Sequence, residues 1–176
     1  MRKILLLLCL ALSLFALQND KDMLSGELKN GLKYYIKENK LPQNTAIFYL
    51  VVNSGSTDEK DGEQGLAHFL EHMAFNGSRD FSKNELIKQL ESLGVKFGAD
   101  LNAQTSYDQT SYTLSINVNE KNLKDVFKVF SNWIDGVKID SGELDKERGV
   151  IMEEERQRNT PAYRLYLAQS KDIFAG

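Results

Sequence analysis

Two histidines and a glutamate are the residues whose types and spacing point most directly to chemistry. His68 and His72 are the only histidines among the 176 residues, and Glu71 lies between them. In an α-helix, residues i and i+4 project from the same face, so both imidazoles can reach one ion, and the i+3 glutamate lies on that face as well. The spacing therefore predicts a metal site on one helix.

Zinc suits this predicted donor set. It prefers nitrogen or oxygen ligands in a tetrahedral arrangement, and a catalytic zinc keeps one position for water. Two histidines supply half of that arrangement, and Glu71 would be close enough to take a proton from the water. The alternative is an ordinary amphipathic helix, in which the histidines are merely buried and hydrogen-bonded, and the residues that pack are Leu66, Phe69, Leu70 and Met73. The two histidines lie four residues apart, as metal ligands on a helix do, and a glutamate lies between them, so the pattern favours the metal site.

A third ligand has to come from another part of the chain, and a carboxylate or a carbonyl oxygen is expected. The predicted helix at residues 141–158 carries several glutamates. Two of them, Glu147 and Glu154, share a stripe with the apolar residues of that helix. Carboxylates on a core-facing stripe require a partner such as a metal or a histidine. Glu153 and Glu155 fall off the stripe and are predicted to be solvated.

Composition narrows the class of protein. With 41% hydrophobic residues, a chain of 176 residues is long enough to bury one core. Its formal net charge of −3 argues against a general affinity for nucleic acid, and the sequence has no basic tract or Gly-rich phosphate loop. We therefore expect a globular domain without a nucleic-acid partner.

The first residues are typical of a secretory signal peptide. Two basic residues precede an apolar run at 4–17 that is shorter than the roughly 20 residues of a membrane span. We predict export to the periplasm or the medium, with residues 1–18 as the signal peptide, cleavage near 16–18 and no stable membrane span afterwards. An uncleaved anchor is the alternative. Cleavage removes two positive charges and the lone Cys9, so the charge changes from −3 to −5 and no thiol remains.

The elements that position the site alternate between strands and helices. The dipeptide Asn30-Gly31 favours a type I′ turn and predicts a hairpin. Thr45–Val52 is β-branched and aromatic, which favours a central strand. Ser82 and Glu85 form a capping box that begins a helix. The predicted order is paired strands around the turn (Leu28 and 32–36), a strand at 45–52, helices at 66–75 and 82–94, paired strands at 95–103 and 110–118, and helices from Glu120, at 141–158 and at 161–174.

Helical periodicity assigns one face to the helix that begins at Glu120. The apolar residues at helical spacing, with Trp133 beside them, are Leu123, Val126, Phe127, Phe130 and Ile134. Together the elements predict one α+β domain at residues 19–176, in which helices pack on an antiparallel-rich mixed sheet.

These motifs resemble the pitrilysin/insulinase family of zinc metallopeptidases, family M16. His68–His72 has the H-x-x-E-H order of the inverted zinc-binding motif, and residues 65–67 lead into it as they do in that family. Residues 98–105 resemble the family's substrate-side strand, and residues 147–154 resemble its downstream glutamate segment. The resemblance covers residues 25–170 and implies a partial M16-type α/β roll.

The resemblance also implies roles for the site residues. By the family pattern, His68, His72 and Glu154 hold one zinc ion, and Glu71 is the catalytic base. Glu147 is a carboxylate that orients a histidine from behind the ligand shell. The implied activity is that of an endopeptidase that hydrolyses extended peptides with zinc-activated water.

The substrate-side strand suggests how a peptide is held. In the family this segment lies at a sheet edge, along which an extended peptide or unfolded protein adds as a further strand. The resemblance assigns Asn102, Ala103 and Thr105 to substrate binding. The alternative for Asn102 and Thr105 is an ordinary strand end and turn, since polar residues flank strands routinely.

Length is the departure from the family. Family members are several times longer and enclose a chamber built of repeated α+β domains, with an Arg/Tyr pair in a later domain. We therefore expect an incomplete N-terminal domain whose partner is a C-terminal M16 domain or a second subunit. We also expect the chain alone to bind zinc more readily than it cleaves peptides. The alternatives are a catalytically incompetent M16-like domain that binds peptide or a partner subunit, and a zinc hydrolase with another substrate.

Overall fold

The computed structural model of the chain describes residues 20–174, with side chains described through residue 170. The predicted signal peptide, residues 1–18, lies outside the described residues. The chain divides into two compact units, of which the first ends at Gln43 and the second begins at Asn44. No helix in the described range combines the length and the hydropathy that a membrane span needs.

Strands and helices follow one another in the predicted order. Every pair of strands in the described residues is antiparallel, and five helices accompany them, so the α+β class is confirmed. The elements are β1 (Met23–Glu27), β2 (Lys33–Lys37), β3 (Thr45–Val52), α1 (Leu66–Met73), α2 (Lys83–Ser92), β4 (Leu101–Thr105), β5 (Thr110–Asn117), α3 (Glu120–Asp135), α4 (Ser141–Arg158) and α5 (Pro161–Phe174).

The first unit contains the predicted hairpin, formed by β1 and β2 with Glu27 opposite Lys33. The predicted type I′ turn is wrong, because that turn needs a positive φ at both central residues and, of Asn30 and Gly31, only Gly31 has one (86°). The Gly31 N–H donates to the carbonyl of Leu28 at 2.9 Å. The turn therefore spans residues 28–31 and leaves Gly31 in the left-handed position.

A three-stranded sheet in the order β3-β5-β4 organises the second unit. Val52 pairs with Thr110, and β3 has no other strand partner within residues 20–174, so the predicted central position of β3 is wrong for this part of the chain. Apolar composition alone misled this prediction. Ile47 and Tyr49 are 57% and 66% exposed, so β3 is not buried on both faces as its residue types suggested.

β4 begins later than predicted. The predicted strand at 95–103 includes residues 96–100, which form a turn instead. The Asp100 N–H donates to the carbonyl of Lys96 at 2.8 Å, and Gly98 has a φ of 83°. β4 then pairs with β5 from Leu101 to Thr105 and has no strand on its other side among the described residues. This edge lies beside α1.

The core lies between one face of the sheet and the helices α2 and α3. The face predicted for α3 is partly wrong, because Phe127 and Ile134 are exposed. Asn132 is buried there instead, and its amide oxygen accepts the N–H of Asp80 at 3.0 Å. The buried residues of β5 and α3 are Thr110, Tyr112, Leu114, Ile116, Val126, Val129, Phe130, Asn132 and Trp133.

Candidate metal centre and active site

Hydrogen bonds from residues outside α1 hold both of its ends. The Glu59 carboxylate accepts the N–H groups of Gly65 and Ala67, each at 2.8 Å. This places a negative charge where the first N–H groups of the helix lack partners. Just past the last residue of α1, the indole N–H of Trp133 donates to the carbonyl of Ala74 at 3.1 Å. The eight-residue helix is therefore held in one orientation against the core.

That orientation turns the histidine face of α1 inward. Glu71 is only 7% exposed, whereas Leu66 and Leu70 are 57% and 49% exposed. In the alternative reading of an ordinary amphipathic helix, these leucines would pack in the core. The structure buries Met73 (1% exposed), as that alternative expects, but it also buries Glu71 and exposes the two leucines, so the alternative is disfavoured.

His68, His72 and Glu154 place three donor atoms around one point. The Nε2 atoms of the two histidines lie 3.2 Å apart, and Glu154 Oε2 is 3.6 Å from each of them. Ligand atoms about 2.1 Å from a tetrahedral zinc lie roughly 3.4 Å from one another. The donor triangle therefore fits a tetrahedral metal with a fourth position left for water or substrate.

Glu147 fixes the orientation of His72. His72 Nδ1 lies 2.8 Å from Glu147 Oε1. An ionised carboxylate can only accept, so the proton resides on Nδ1 and the lone pair of Nε2 points toward the donor triangle. The amide of Asn76 donates to Glu147 Oε2 at 2.8 Å and to the His72 carbonyl at 3.1 Å. Both oxygens of Glu147 are thus engaged.

Burial also favours the neutral form of His68. Desolvation, and then the neighbouring His72, hold the pKa of His68 below its ordinary value, and Arg158 acts in the same direction. Glu71 and Glu154 act against this shift without reversing it. A neutral imidazole is the form that ligates a metal.

Glu71 lies in a buried position next to β4 and β5. The Thr105 hydroxyl donates to Glu71 Oε2 at 2.6 Å. Burial, and then the charge of Glu71, raise the pKa of Tyr112 well above its usual range, so the phenol stays neutral. Tyr112 stacks on Trp133 with ring centroids 5.1 Å apart.

An open pocket of about 370 Å³ adjoins Glu71 and His72. Its walls come from α1, α2, β4 and α4, and both apolar and polar side chains line it. Lys83 is the cation in the wall, and its Nζ lies 3.3 Å from Glu143 Oε2 of α4. The lining residues are Glu71, His72, Phe75, Asn76, Lys83, Ile87, Phe97, Leu101, Asn102, Ala103 and Glu147.

Comparison with known proteins is consistent with this geometry. The family model described as insulinase, peptidase family M16, matches residues 34–170. The chain belongs to the insulinase family. This confirms the resemblance drawn from the motifs, and the matched range includes His68, Glu71, His72, Glu147 and Glu154.

Relatives within the insulinase family are much longer than this chain. The probable zinc protease PqqL of Escherichia coli strain K12 is 40% identical over 161 residues, which are 91% of this chain and 17% of PqqL. The crystal structure of the periplasmic protease PqqL from Escherichia coli superimposes with a TM-score of 0.83 at 39% identity, covering 89% of this chain and 17% of that one. A structure of the ferredoxin protease FusC in complex with Arabidopsis ferredoxin gives a TM-score of 0.78 at 31% identity, covering 85% and 16%.

The structure of this insulinase-family chain brings the two motif segments together. His68, His72 and Glu154 meet, with Glu147 behind His72 and Glu71 beside them. The glutamates predicted to be solvated are exposed, and Glu153 pairs with Arg156 at 2.6 Å. Asn102 and Ala103 line the pocket, whereas the side chain of Thr105 contacts Glu71.

Sequence reasoning missed Asn76. It is 7% exposed and joins the end of the α1 segment to Glu147. Its position four residues after His72 places it on the same helical face, which was the available signal. That signal is weak, because an asparagine before Gly77 is more simply read as a helix stop.

Proposed function

We propose that this chain is the zinc-binding catalytic portion of an exported metalloendopeptidase. The observation that carries the proposal is the donor triangle of His68, His72 and Glu154, with the buried carboxylate of Glu71 beside it. The name zinc protease borne by PqqL supports the metal and the reaction class. We assign one zinc to each chain.

The donor set fits zinc, with two neutral imidazoles and one carboxylate as ligands. When bound, zinc would lower the pKa of a coordinated water and stabilise negative charge on the carbonyl oxygen under attack. Glu147 and Asn76 hold His72 in the tautomer and orientation that a ligand needs.

Glu71 acts as the general base in this proposal. Its carboxylate takes the proton from the attacking water and returns it to the leaving amine, so no net proton is gained or lost in peptide hydrolysis. Burial of Glu71 keeps bulk water from competing for that carboxylate. General-base catalysis of this kind contributes roughly 10²- to 10⁴-fold in rate.

The free edge of β4 is the proposed binding site for the peptide. An extended segment that pairs with this edge places its backbone beside Glu71, because Thr105 at the end of β4 contacts that residue. Asn102 and Ala103 lie along the same stretch and line the adjoining pocket. A substrate of this kind is a peptide or an unfolded protein, and backbone pairing makes few demands on its sequence.

Export and assembly complete the proposal. Residues 1–18 serve as a signal peptide, and residues 19–176 form the N-terminal peptidase domain in the periplasm or outside the cell. The description of Escherichia coli PqqL as a periplasmic protease supports this location. Because the chain spans 17% of PqqL, a C-terminal family domain or a second subunit is the proposed partner.

Zinc content and hydrolysis of an unfolded peptide by the purified chain test this function. We expect about one zinc per chain, and we expect Glu71→Gln to retain zinc while it loses roughly 10²- to 10⁴-fold in rate. Glu155→Gln, at an exposed position on α4, is the matched control and should behave as wild type. Equal and measurable rates for the wild type and Glu71→Gln would exclude the mechanism. Zinc with peptide binding but no hydrolysis in either would favour a peptide-binding domain over a chain that is active without its partner.

A further inference from the structure

Thr105 makes a hydrogen bond that its expected role in substrate binding does not explain. Its Oγ1 donates to Glu71 Oε2 at 2.6 Å, whereas the family pattern placed Thr105 among the substrate-binding residues. We propose that the Thr105 hydroxyl positions the Glu71 carboxylate and does not contact the peptide. This inference rests on the proposed role of Glu71 as the base.

The alternation of side chains along β4 separates Thr105 from the solvent-facing residues. Asn102 and Gln104 are exposed, whereas Ala103 and Thr105 are partly buried on the side that faces α1. A peptide that adds to the edge pairs with backbone groups of β4. The Thr105 side chain points toward α1, and its hydroxyl already donates its hydrogen bond to Glu71.

The hydrogen bond suits a residue that must hold a carboxylate still. A bond of 2.6 Å from a hydroxyl to an ionised acceptor is in the range of charge-assisted bonds, which are stronger than neutral ones. It satisfies one oxygen of a side chain that is 7% exposed. Since a carboxylate has two oxygens, the second remains available to take a proton from water.

The scaffold restricts Thr105 as well. A β-branched side chain has a stiff χ1 torsion, so its hydroxyl holds one direction once the backbone is fixed. The backbone is fixed by pairing of Thr105 with Thr110 of β5, and the Thr110 hydroxyl donates to the carbonyl of Ser54 at 3.0 Å. Because the strand holds Thr105 in place, its hydroxyl holds the Glu71 carboxylate on α1 in place as well.

Steady-state kinetics of Thr105→Val and Thr105→Ser with an unfolded peptide test the proposal. We expect Thr105→Val to lower kcat by roughly 10- to 100-fold with little change in KM, because only a hydrogen bond to the base is removed. Thr105→Ser keeps the hydroxyl and should recover most of kcat. Thr113→Val is the matched control, because Thr113 lies on the face of β5 opposite to the buried Tyr112. This variant should match wild type. A raised KM with unchanged kcat in Thr105→Val would overturn the proposal in favour of substrate binding.

A double variant separates an effect through Glu71 from an independent one. If Thr105 acts through the base, Thr105→Val should cause no further loss of rate in the Glu71→Gln background. Multiplicative losses would contradict the proposal.

A crystal structure of zinc-loaded Thr105→Val provides a readout that does not depend on hydrolysis. We expect the Glu71 carboxylate to rotate away from its wild-type position, and zinc content to stay unchanged. An unmoved Glu71 would overturn the positioning role. Equal hydrolysis by wild type and Glu71→Gln would instead refute the proposed function, and the crystal structure would still decide whether Thr105 orients Glu71.

Discussion

The helices α1 and α4 both supply the candidate metal centre, yet they are held in different ways. α1 is short, and polar groups from outside the helix bind the backbone at both of its ends. α4 has 18 residues, of which only Glu147 is buried. Its contacts with the site are made by carboxylates: Glu147 reaches His72, and Glu154 reaches both histidines.

This difference determines which part of the site is built in advance. The i, i+4 geometry of a helix sets the spacing of His68 and His72 whether or not a metal is bound. The position of Glu154 depends on how α4 lies against α1, where Glu147 contacts His72 and the apolar side chains of Leu144 and Ile151 are partly buried. Changes in the α4 carboxylates should therefore weaken zinc binding more than they weaken the fold. The loss of zinc affinity should be smaller for residues that lie farther from the proposed metal position.

Removal of the proposed third ligand should have the largest effect among the α4 changes. In Glu154→Gln the site keeps two imidazoles and loses its only charged ligand, so we expect zinc affinity to fall by more than about 100-fold, beyond the usual range for changes behind the ligand shell. Competition with a chromogenic chelator measures the affinity. Glu155→Gln is the matched neighbour on α4 and should keep wild-type affinity, and a similar loss in both variants would show that charge near α4, and not ligation, is responsible.

Glu147→Gln should have an intermediate effect. The amide can still accept one hydrogen bond from His72, but the charge that favours the Nδ1 proton is lost. Residues that orient a ligand in this way typically change metal affinity roughly 10- to 100-fold. The same chelator competition measures the effect, with far-UV circular dichroism as the control for folding. A loss equal to that of Glu154→Gln would contradict the proposed order of the two carboxylates.

Asn76→Leu should have a smaller effect on zinc affinity. The substitution keeps the approximate volume and removes one hydrogen bond to Glu147 and one to the His72 carbonyl. A hydrogen bond to a charged group is worth about 1.5–3 kcal/mol, but Glu147 keeps its contact with His72, so we expect a loss of roughly 10-fold. A loss of 100-fold or more would mean that Asn76 does more than hold Glu147 in place.

The sequence was most informative where a local rule decided the structure. The histidine pair follows from helical spacing, and the inward stripe of α4 follows from the periodicity of Glu147 and Glu154 with apolar neighbours. The predicted strand at 95–103 stopped short of Thr105, and Asn76 was predicted to end a helix, so the partners of these two residues could not be assigned. Each of them bonds to a residue far away in sequence, so its role exists only after α1, α4 and β4 have packed.

The misassigned face of α3 has the same physical origin. Phe127 and Ile134 were assigned to the apolar face of α3 by periodicity, and Asn132 was not among the residues assigned to that face. Asn132 is 1% exposed because its amide bonds to Asp80 and to the backbone of its own helix. A buried polar group with all of its partners present breaks the hydropathy pattern without a large energetic cost.

Glu59 tests how α1 is held, because it binds the backbone of α1 and contacts none of the proposed ligands. Its carboxylate caps two N–H groups, so Glu59→Gln should cost about 1 kcal/mol of folding free energy, as measured by urea unfolding of the zinc-free chain. Zinc affinity should change by less than about three-fold, since the spacing of the histidines survives as long as α1 is helical. Glu38→Gln, at an exposed position in the first unit, is the control and should leave both quantities unchanged. A loss of affinity comparable to that of Glu147→Gln would mean that the histidine pair is not set by α1 alone.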